Sequence, residues 1–320
     1  MRAVRAKEFG GPEVLVPVEL PEPMPGPGEV VIDVAYVDTI FVETQVRAGW
    51  GREYFAVAPP YVPGGGVSGT VIAAGEGVPD EWLGRRIASF VRDGYASRAV
   101  AAVDGATVVP EGVDLSTAAA LVHDGVTATG LIELTGVGTG DRVLILGASG
   151  GMGTLLVQLA AARGARVVGA ARGDEKLNLV RRLGAAQAVD VSDDRWTERA
   201  REALGGGADV VLDGVGGRLG AEAFALTLDG GRFSAHGAPT GGFAAVDAEE
   251  AKRRGISLLG IGDVQFGPVE ATRLRAHALD EVSGGRLRPV IGEVFALERA
   301  ADAHRAVEER RVLGKVLLKS

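Results

Sequence analysis

Cysteine is absent from the 320-residue chain. That excludes disulfides and thiolate metal sites, and it accords with a reducing, cytoplasmic setting. Histidine is scarce, with only His123, His236, His277 and His304. Positive charge is in deficit, because 34 Lys and Arg stand against 42 Asp and Glu for a net charge of −8. A general nucleic-acid binder is therefore not expected. No apolar run approaches the roughly 18 residues that mark a membrane span. The first residues, Met1 to Lys7, lack the apolar core of a signal peptide. No internal repeat or low-complexity run is present, although 49 glycines are scattered through the turns. The length allows two domains and a sizeable core.

What the chain does have is concentrated in residues 141–190. Val143 to Leu146 is an unbroken apolar run of strand type, and Gly147, Gly150, Gly151 and Gly153 follow within seven residues. Thr154 to Arg163 has helix-forming composition and Gly164 is placed to stop it. A second apolar run, Ala165 to Ala171, leads to Arg172. Strand, glycine turn, helix and strand make one βαβ unit. Its glycines let backbone approach a pyrophosphate, and the helix N-terminus offers unpaired N–H groups to the charge. Ser149, Gly150, Gly151, Met152 and Gly153 are the expected dinucleotide contacts. An NAD site usually places an acid at the tip of the second strand. Here the strand ends in Arg172, and Lys176 follows, with Asp174 between them. Two cations suit a 2′-phosphate, so NADPH is the expected cofactor.

Around this unit the chain changes character. Residues 1–110 look β-rich, with strands expected at Val14–Val18, Glu29–Val37 and Gly69–Gly75 and with Pro/Gly loops at 21–28 and 59–66. A helix capped by Ser116 and another over Val126–Leu134 lead into the βαβ unit. Beyond it, helix Lys176–Leu183 and strands at Ala208–Asp213, Gly230–Gly237 and Ile256–Ile261 predict a parallel, doubly wound sheet. The tail reads helix Val269–Ser283, extended Leu287–Phe295, helix Glu298–Arg311 and strand Gly314–Lys319, which could return to the first domain.

These residues resemble the medium-chain dehydrogenase/reductase superfamily, specifically its zinc-free quinone-reductase (zeta-crystallin-like) branch, over essentially the whole length. Val42 to Gly49 is similar to the branch's V-[DE]-T-x-x-R-x-G segment. Pro63-Gly64 with Val67-Ser68-Gly69 resembles its P-G-x-[DE]-x-x-G turn, and Ala118 to Leu121 with Gly125 to Ala128 resembles A-A-A-L…G-x-T-A. Gly150 to Gly153, Asp213 to Gly217 and Gly314-Lys315 match further signatures, and Lys176 falls where NADPH-dependent members carry a phosphate-binding lysine. The resemblance implies an α/β protein, with a GroES-like β-barrel domain (1–122), a Rossmann doubly wound parallel sheet domain (123–262) and a C-terminal return to the first domain (263–320). It also implies NADPH in the cleft, a homodimer and hydride transfer to a quinone, a conjugated enone or an enoyl thioester. No metal is expected, since a catalytic zinc needs three protein ligands and the adjacent His123 and Asp124 would not share a helical face.

Four positions depart from that pattern: Ile40 and Phe41 replace an asparagine and proline, Gln45 replaces a tyrosine, and Gly66 replaces an acid. The site is therefore expected to be more apolar than in a standard member. Reduction of a carbon–carbon double bond needs a positioned proton. His123 is a candidate donor beside a structural alternative, while Gln45 can bond a carbonyl. Thr127 is expected to bond the nicotinamide carboxamide or a substrate carbonyl, or else to cap or pack a helix. Asp213, Val215, Gly237 and Lys315 are the remaining cofactor candidates, each with a structural alternative. Ile40, Phe41, Gln45, Trp50 and Tyr54 are the candidate substrate wall. The leading expectation is an NADPH-dependent, zinc-independent oxidoreductase acting on a small-molecule quinone or enone. An enoyl-thioester or biosynthetic tailoring reductase, and an NADPH-binding protein without turnover, stand as alternatives.

Overall fold

The strands of the first β-rich region are joined through Gly/Pro loops, pair antiparallel and pack on an apolar core. A computed structural model describes residues 1–52 and 55–320. The chain separates into two compact units: Met1–Val126 with Gly267–Gly285 and Pro289–Ser320, and Thr127–Phe266 with Arg286–Arg288. In chain order the first unit begins with β1 (Arg2–Ala6), β2 (Leu15–Glu19), β3 (Glu29–Thr39), α1 (Phe41–Arg47), β4 (Gly66–Ala74), β5 (Arg86–Phe90), β6 (Arg98–Ala102), β7 (Ala106–Val108) and α2 (Leu115–Ala120). Helix α3 (Asp124–Thr135) carries the chain from one unit to the other.

The second unit holds β8 (Arg142–Leu146), α4 (Gly151–Ala162), β9 (Arg166–Ala171), α5 (Asp174–Arg182), β10 (Gln187–Asp190), α6 (Trp196–Leu204), β11 (Ala208–Asp213), α7 (Gly217–Phe224), β12 (Thr227–Ala235), α8 (Ala248–Arg253) and β13 (Ser257–Leu259). The first unit then resumes with α9 (Pro268–Ser283), β14 (Ile291–Ala296), α10 (Ala300–Glu308) and β15 (Lys315–Lys319).

The six strands of the second unit pair in the order β10-β9-β8-β11-β12-β13, all parallel. Counted within the unit this is 3-2-1-4-5-6, the doubly wound order that opens a switch point between its first and fourth strands. Those strands are β8 and β11, so the carboxyl ends at Leu146 and Asp213 flank that point. Both faces of such a sheet are covered. Accordingly Leu144, Leu146, Val168, Val211 and Phe233 are buried beneath Trp196, Leu204 and Phe224.

In the first unit, β3 is the hub, paired with β4, β6 and β15, and β14 extends the sheet beyond β15. Its register against β4 shifts twice, at Val31/Ile32 and at Val34/Tyr36. A shift of one residue turns side chains to the opposite face. After the second shift Val37, Asp38 and Thr39 are all buried, which places a carboxylate inside the unit.

Several expected boundaries moved for local reasons. Asp114, not Ser116, occupies the N-cap of α2, and no side chain caps it. Strand β2 starts at Leu15 because Pro12–Val14 forms a 3₁₀ turn. Gly237 lies beyond β12, and the expected strand at Ile256–Ile261 contracts to Ser257–Leu259. No helix among the described residues is long and apolar enough to cross a membrane.

Candidate functional site

In the second unit, β8 stops at Leu146 and α4 begins at Gly151. A close approach fixes Gly153: a Cβ there would meet the Gly147 carbonyl oxygen at 2.2 Å. Gly150 is the N-cap and no side chain caps the helix. The first-turn N–H groups that every helix leaves without internal acceptors are thus available to an anion, and the helix dipole favours negative charge there. Ser149 is buried, while Gly150, Gly151 and Met152 are half-buried at this turn. A glycine cradle and an uncapped helix at a sheet switch point fit the pyrophosphate of a dinucleotide.

The neighbouring strand ends differently from expectation. Asp213 is fully buried, and its Oδ1 accepts the N–H groups of Val215 at 2.9 Å and Gly216 at 2.8 Å. Burial pushes its carboxyl up, against those two bonds. Its Oδ1 thus orders the loop, which is the structural alternative for this residue. Val215 is half-buried in that loop. Gly237 lies against it, where a Cβ would meet the Gly214 carbonyl oxygen at 2.2 Å. The preceding His236 is buried, and burial pulls it down to about 4, so it is neutral. Its Nδ1 meets Ser234 Oγ at 3.1 Å, and its Nε2 has no partner among the described residues.

At the end of β9, Arg172 is exposed and Lys176 is half-buried in the first turn of α5. An acid does stand at this turn, supplied by β10. Asp190 accepts from Gly173 N at 3.0 Å and from Ser192 N at 2.8 Å and Oγ at 2.6 Å. The Ser192 hydroxyl, with the two backbone donors and nearby Arg172, holds the Asp190 carboxyl low despite some desolvation. Thr127 lies inside α3 and does not cap it, and its side chain is half-buried.

The first unit contains the larger surprise. Asp38 is fully buried, and Lys315 and His123 converge on it. Its Oδ1 pairs with Lys315 Nζ, while Oδ2 meets His123 Nδ1 at 2.8 Å and the His123 backbone N–H at 3.2 Å. Lys315 also reaches Asp124 at 2.9 Å. Burial pushes the Asp38 carboxyl up, but Lys315 and His123 outweigh it and hold the group low. For Asp124 burial prevails over Lys315 and the carboxyl is raised. Lys315, although desolvated, is raised by Asp124 and Asp38. Lys315 is 4% exposed and held between two carboxylates.

Glu43 on α1 belongs to the same interior. It accepts from Ile40 N at 3.1 Å, Tyr95 Oη at 2.9 Å and Gly65 N at 3.3 Å, and burial raises its carboxyl. Tyr95 in turn meets His304 Nε2 at 2.8 Å. Arg47 is buried in an ion pair with Glu308 and donates to Gly10 O at 3.1 Å.

Ile40, Phe41 and Gln45 are half-buried along α1 or at its start, and Trp50 lies just beyond, 6.4 Å from the Phe55 ring. Tyr54 falls outside the described residues. Within the first unit, Asp38, Glu43, His123, Asp124 and Lys315 form a charged cluster. Asp38, Glu43, Tyr95, Asp190 and His236 were not singled out from the sequence. An aspartate in the apolar run Tyr36-Val37-Asp38 was the available signal for the first of them. Among the described residues, no three His, Asp or Glu side chains form a group able to hold a metal ion.

Comparison with known proteins gives a consistent answer. Residues 26–154 match the alcohol dehydrogenase GroES-like domain and residues 151–267 match the zinc-binding dehydrogenase domain. The quinone oxidoreductase of Sus scrofa is 32% identical over 99% of this chain and 97% of its own length. A 2-haloacrylate reductase of a Burkholderia species is 30% identical over 99% of this chain and 98% of its own. A mycobacterial protein solved with NADPH superposes with a TM-score of 0.92 at 31% identity, covering all of both chains. The glycine turn at the switch point of its parallel sheet and this full-length likeness place the chain in the zinc-free quinone oxidoreductase branch of the medium-chain dehydrogenase/reductase superfamily.

Proposed function

We propose that the protein is an NADPH-dependent reductase that works without a metal and passes hydride to a quinone or a conjugated enone. The observation that carries this reading is the uncapped α4 behind its glycine turn, at the switch point of a 3-2-1-4-5-6 sheet, in a chain related end to end to a quinone oxidoreductase. A bound reduced nicotinamide supplies the hydride.

The chain's own residues bind and orient. The turn from Ser149 to Gly153 receives the pyrophosphate. Arg172 and Lys176 receive the 2′-phosphate, as the family's NADPH-dependent members do with a lysine at the latter position. Asp213 keeps the loop at Val215 and Gly237 in shape. The Thr127 hydroxyl takes the carboxamide or a substrate carbonyl. Ile40, Phe41, Gln45 and Trp50 line the acceptor site. The mycobacterial neighbour's NADPH supports the choice of cofactor.

The test is NADPH oxidation with quinones, enones and crotonyl thioester in parallel. Turnover with quinones or enones supports the reading, whereas tight NADPH binding without turnover of any acceptor rejects it. A homodimer through the edge strand β13 is proposed with it, since Leu258 is 39% exposed there. A monomer by light scattering would reject that assembly.

A further inference from the structure

Asp38 lies outside every motif that carries the family likeness, yet it organises the charged interior of the first unit. It is ionised, because Lys315 and His123 hold its carboxyl low against burial. A carboxylate only accepts hydrogen bonds, so the hydrogen between it and His123 Nδ1 belongs to the imidazole. That assigns the tautomer and leaves Nε2 as the atom that gains and loses a proton. Nε2 has no partner among the described residues, and the side chain is 21% exposed. The ring cannot turn away. Phe90 meets it edge-on with centroids 4.8 Å apart, and the backbone of Gly65 and Gly66 lies against it. Charged groups approach from every side: Asp38 on β3, Glu43 on α1, Lys315 on β15 and Asp124 at the start of α3, with Arg275 of α9 over the Phe90 ring.

We propose that His123 is the proton donor of the reaction and that Asp38, itself anchored by Lys315, is the positioning residue that aims it. This selects acceptors that need a proton at carbon after hydride arrives, namely enones and related conjugated alkenes. It rests on the reading of the protein as a hydride-transferring reductase.

The step balances as follows. Hydride adds to the β-carbon and the π pair moves onto the α-carbon and carbonyl oxygen. The Nε2–H bond of protonated His123 then breaks, its electron pair stays on nitrogen, and the proton forms the new C–H bond at the α-carbon. His123 is left neutral with Nδ1–H still on Asp38, and it regains a proton from solvent at its exposed edge. A reduced quinone collects its protons on oxygen directly from water and does not depend on the dyad.

The experiment compares the full-length wild type with His123→Gln and Asp38→Asn, using NADPH with cyclohexenone and with benzoquinone. A general acid contributes about 10²–10⁴-fold. The enone kcat is expected to fall about 100-fold or more in His123→Gln and about 10-fold or more in Asp38→Asn, with KM little changed. The quinone kcat is expected to stay within about twofold in both, and the solvent deuterium effect on enone reduction to change in both. Equal losses on both acceptors, or no loss on either, overturn the proposal while leaving the reductase reading intact. A wild type inert with both acceptors overturns the reductase reading and the proposal with it. Should Asp38→Asn fail to fold, His123→Gln decides alone, because its side chain lies at the edge of the cluster.

Discussion

The imidazole of His123 occupies the space that a side chain on Gly66 would need. A Cβ on Gly66 would stand 2.9 Å from both Cε1 and Nδ1 of that ring. The family pattern carries an acid at this position. A side chain there would have to displace both this ring and Val122, whose Cγ1 would stand 2.8 Å away.

Gly66→Ala consequently pushes the ring off Asp38. Overpacking of this kind costs about 1–3 kcal/mol, measurable by urea unfolding. Enone turnover is expected to fall by about 10-fold as the general acid loses its aim, while NADPH affinity holds. Unchanged enone kinetics would show that the ring tolerates displacement.

The cofactor preference is tested at the end of β9. Arg172→Ala with Lys176→Ala is expected to raise KM for NADPH by about 10-fold or more and to leave KM for NADH nearly unaltered, since each charge-assisted contact to phosphate contributes about 1.5–3 kcal/mol before screening. Equal changes with both cofactors would separate these cations from the 2′-phosphate.

Much of this layout was legible in the sequence, and what escaped has identifiable causes. The strand, turn and helix at 142–162 were visible because an apolar run, a glycine cluster and a terminating Gly164 agree with one another. Strand β10, Gln187–Asp190, was missed because four residues carry no readable alternation, and with it went Asp190. Asp38 was missed because its inward direction depends on the register shift at Val34/Tyr36, and its two partners come from residues 123 and 315. Departures at Ile40, Gln45 and Gly66 suggested an apolar site. The charges inside the first unit are distant along the chain, and the pairing of β3 with β15 brings Lys315 to Asp38.

Acid sensitivity follows from two histidines. Burial lowers His304 to about 3, with Arg47 adding to the effect, and lowers His236 to about 4. Their unfolded forms bind a proton near pH 6.5. Between there and the folded values the unfolded state binds more protons, so stability falls as pH falls. Each group contributes a slope of roughly 1 kcal/mol per pH unit. Urea midpoints are expected to drop steadily from pH 6.5 towards 4, and His304→Gln to flatten the decline. A midpoint independent of pH across that window would contradict the buried, neutral assignment.

Lys315→Met removes the cation between two buried carboxylates. An uncompensated buried charge costs about 3–5 kcal/mol, so the variant is expected to be destabilised by that order at neutral pH. Without Lys315 the Asp38 and Asp124 carboxyls take up protons more readily in the folded state than in the unfolded one. The deficit relative to wild type should then shrink as pH falls, which paired unfolding curves at pH 7 and 5 would reveal. A deficit constant in pH would mean that lost packing, not charge, dominates.

Strand β15 closes the first unit against β3, yet it is translated after the whole of the nucleotide-type unit. A nascent chain thus holds Asp38 for some 277 residues of synthesis before Lys315, its countercharge, is made. During that interval, of the two side chains that converge on Asp38, only His123 has been made, and the strand that delivers Lys315 is still missing. Docking of this late strand, and not the completion of any earlier segment, is then the step that brings Lys315 to Asp38.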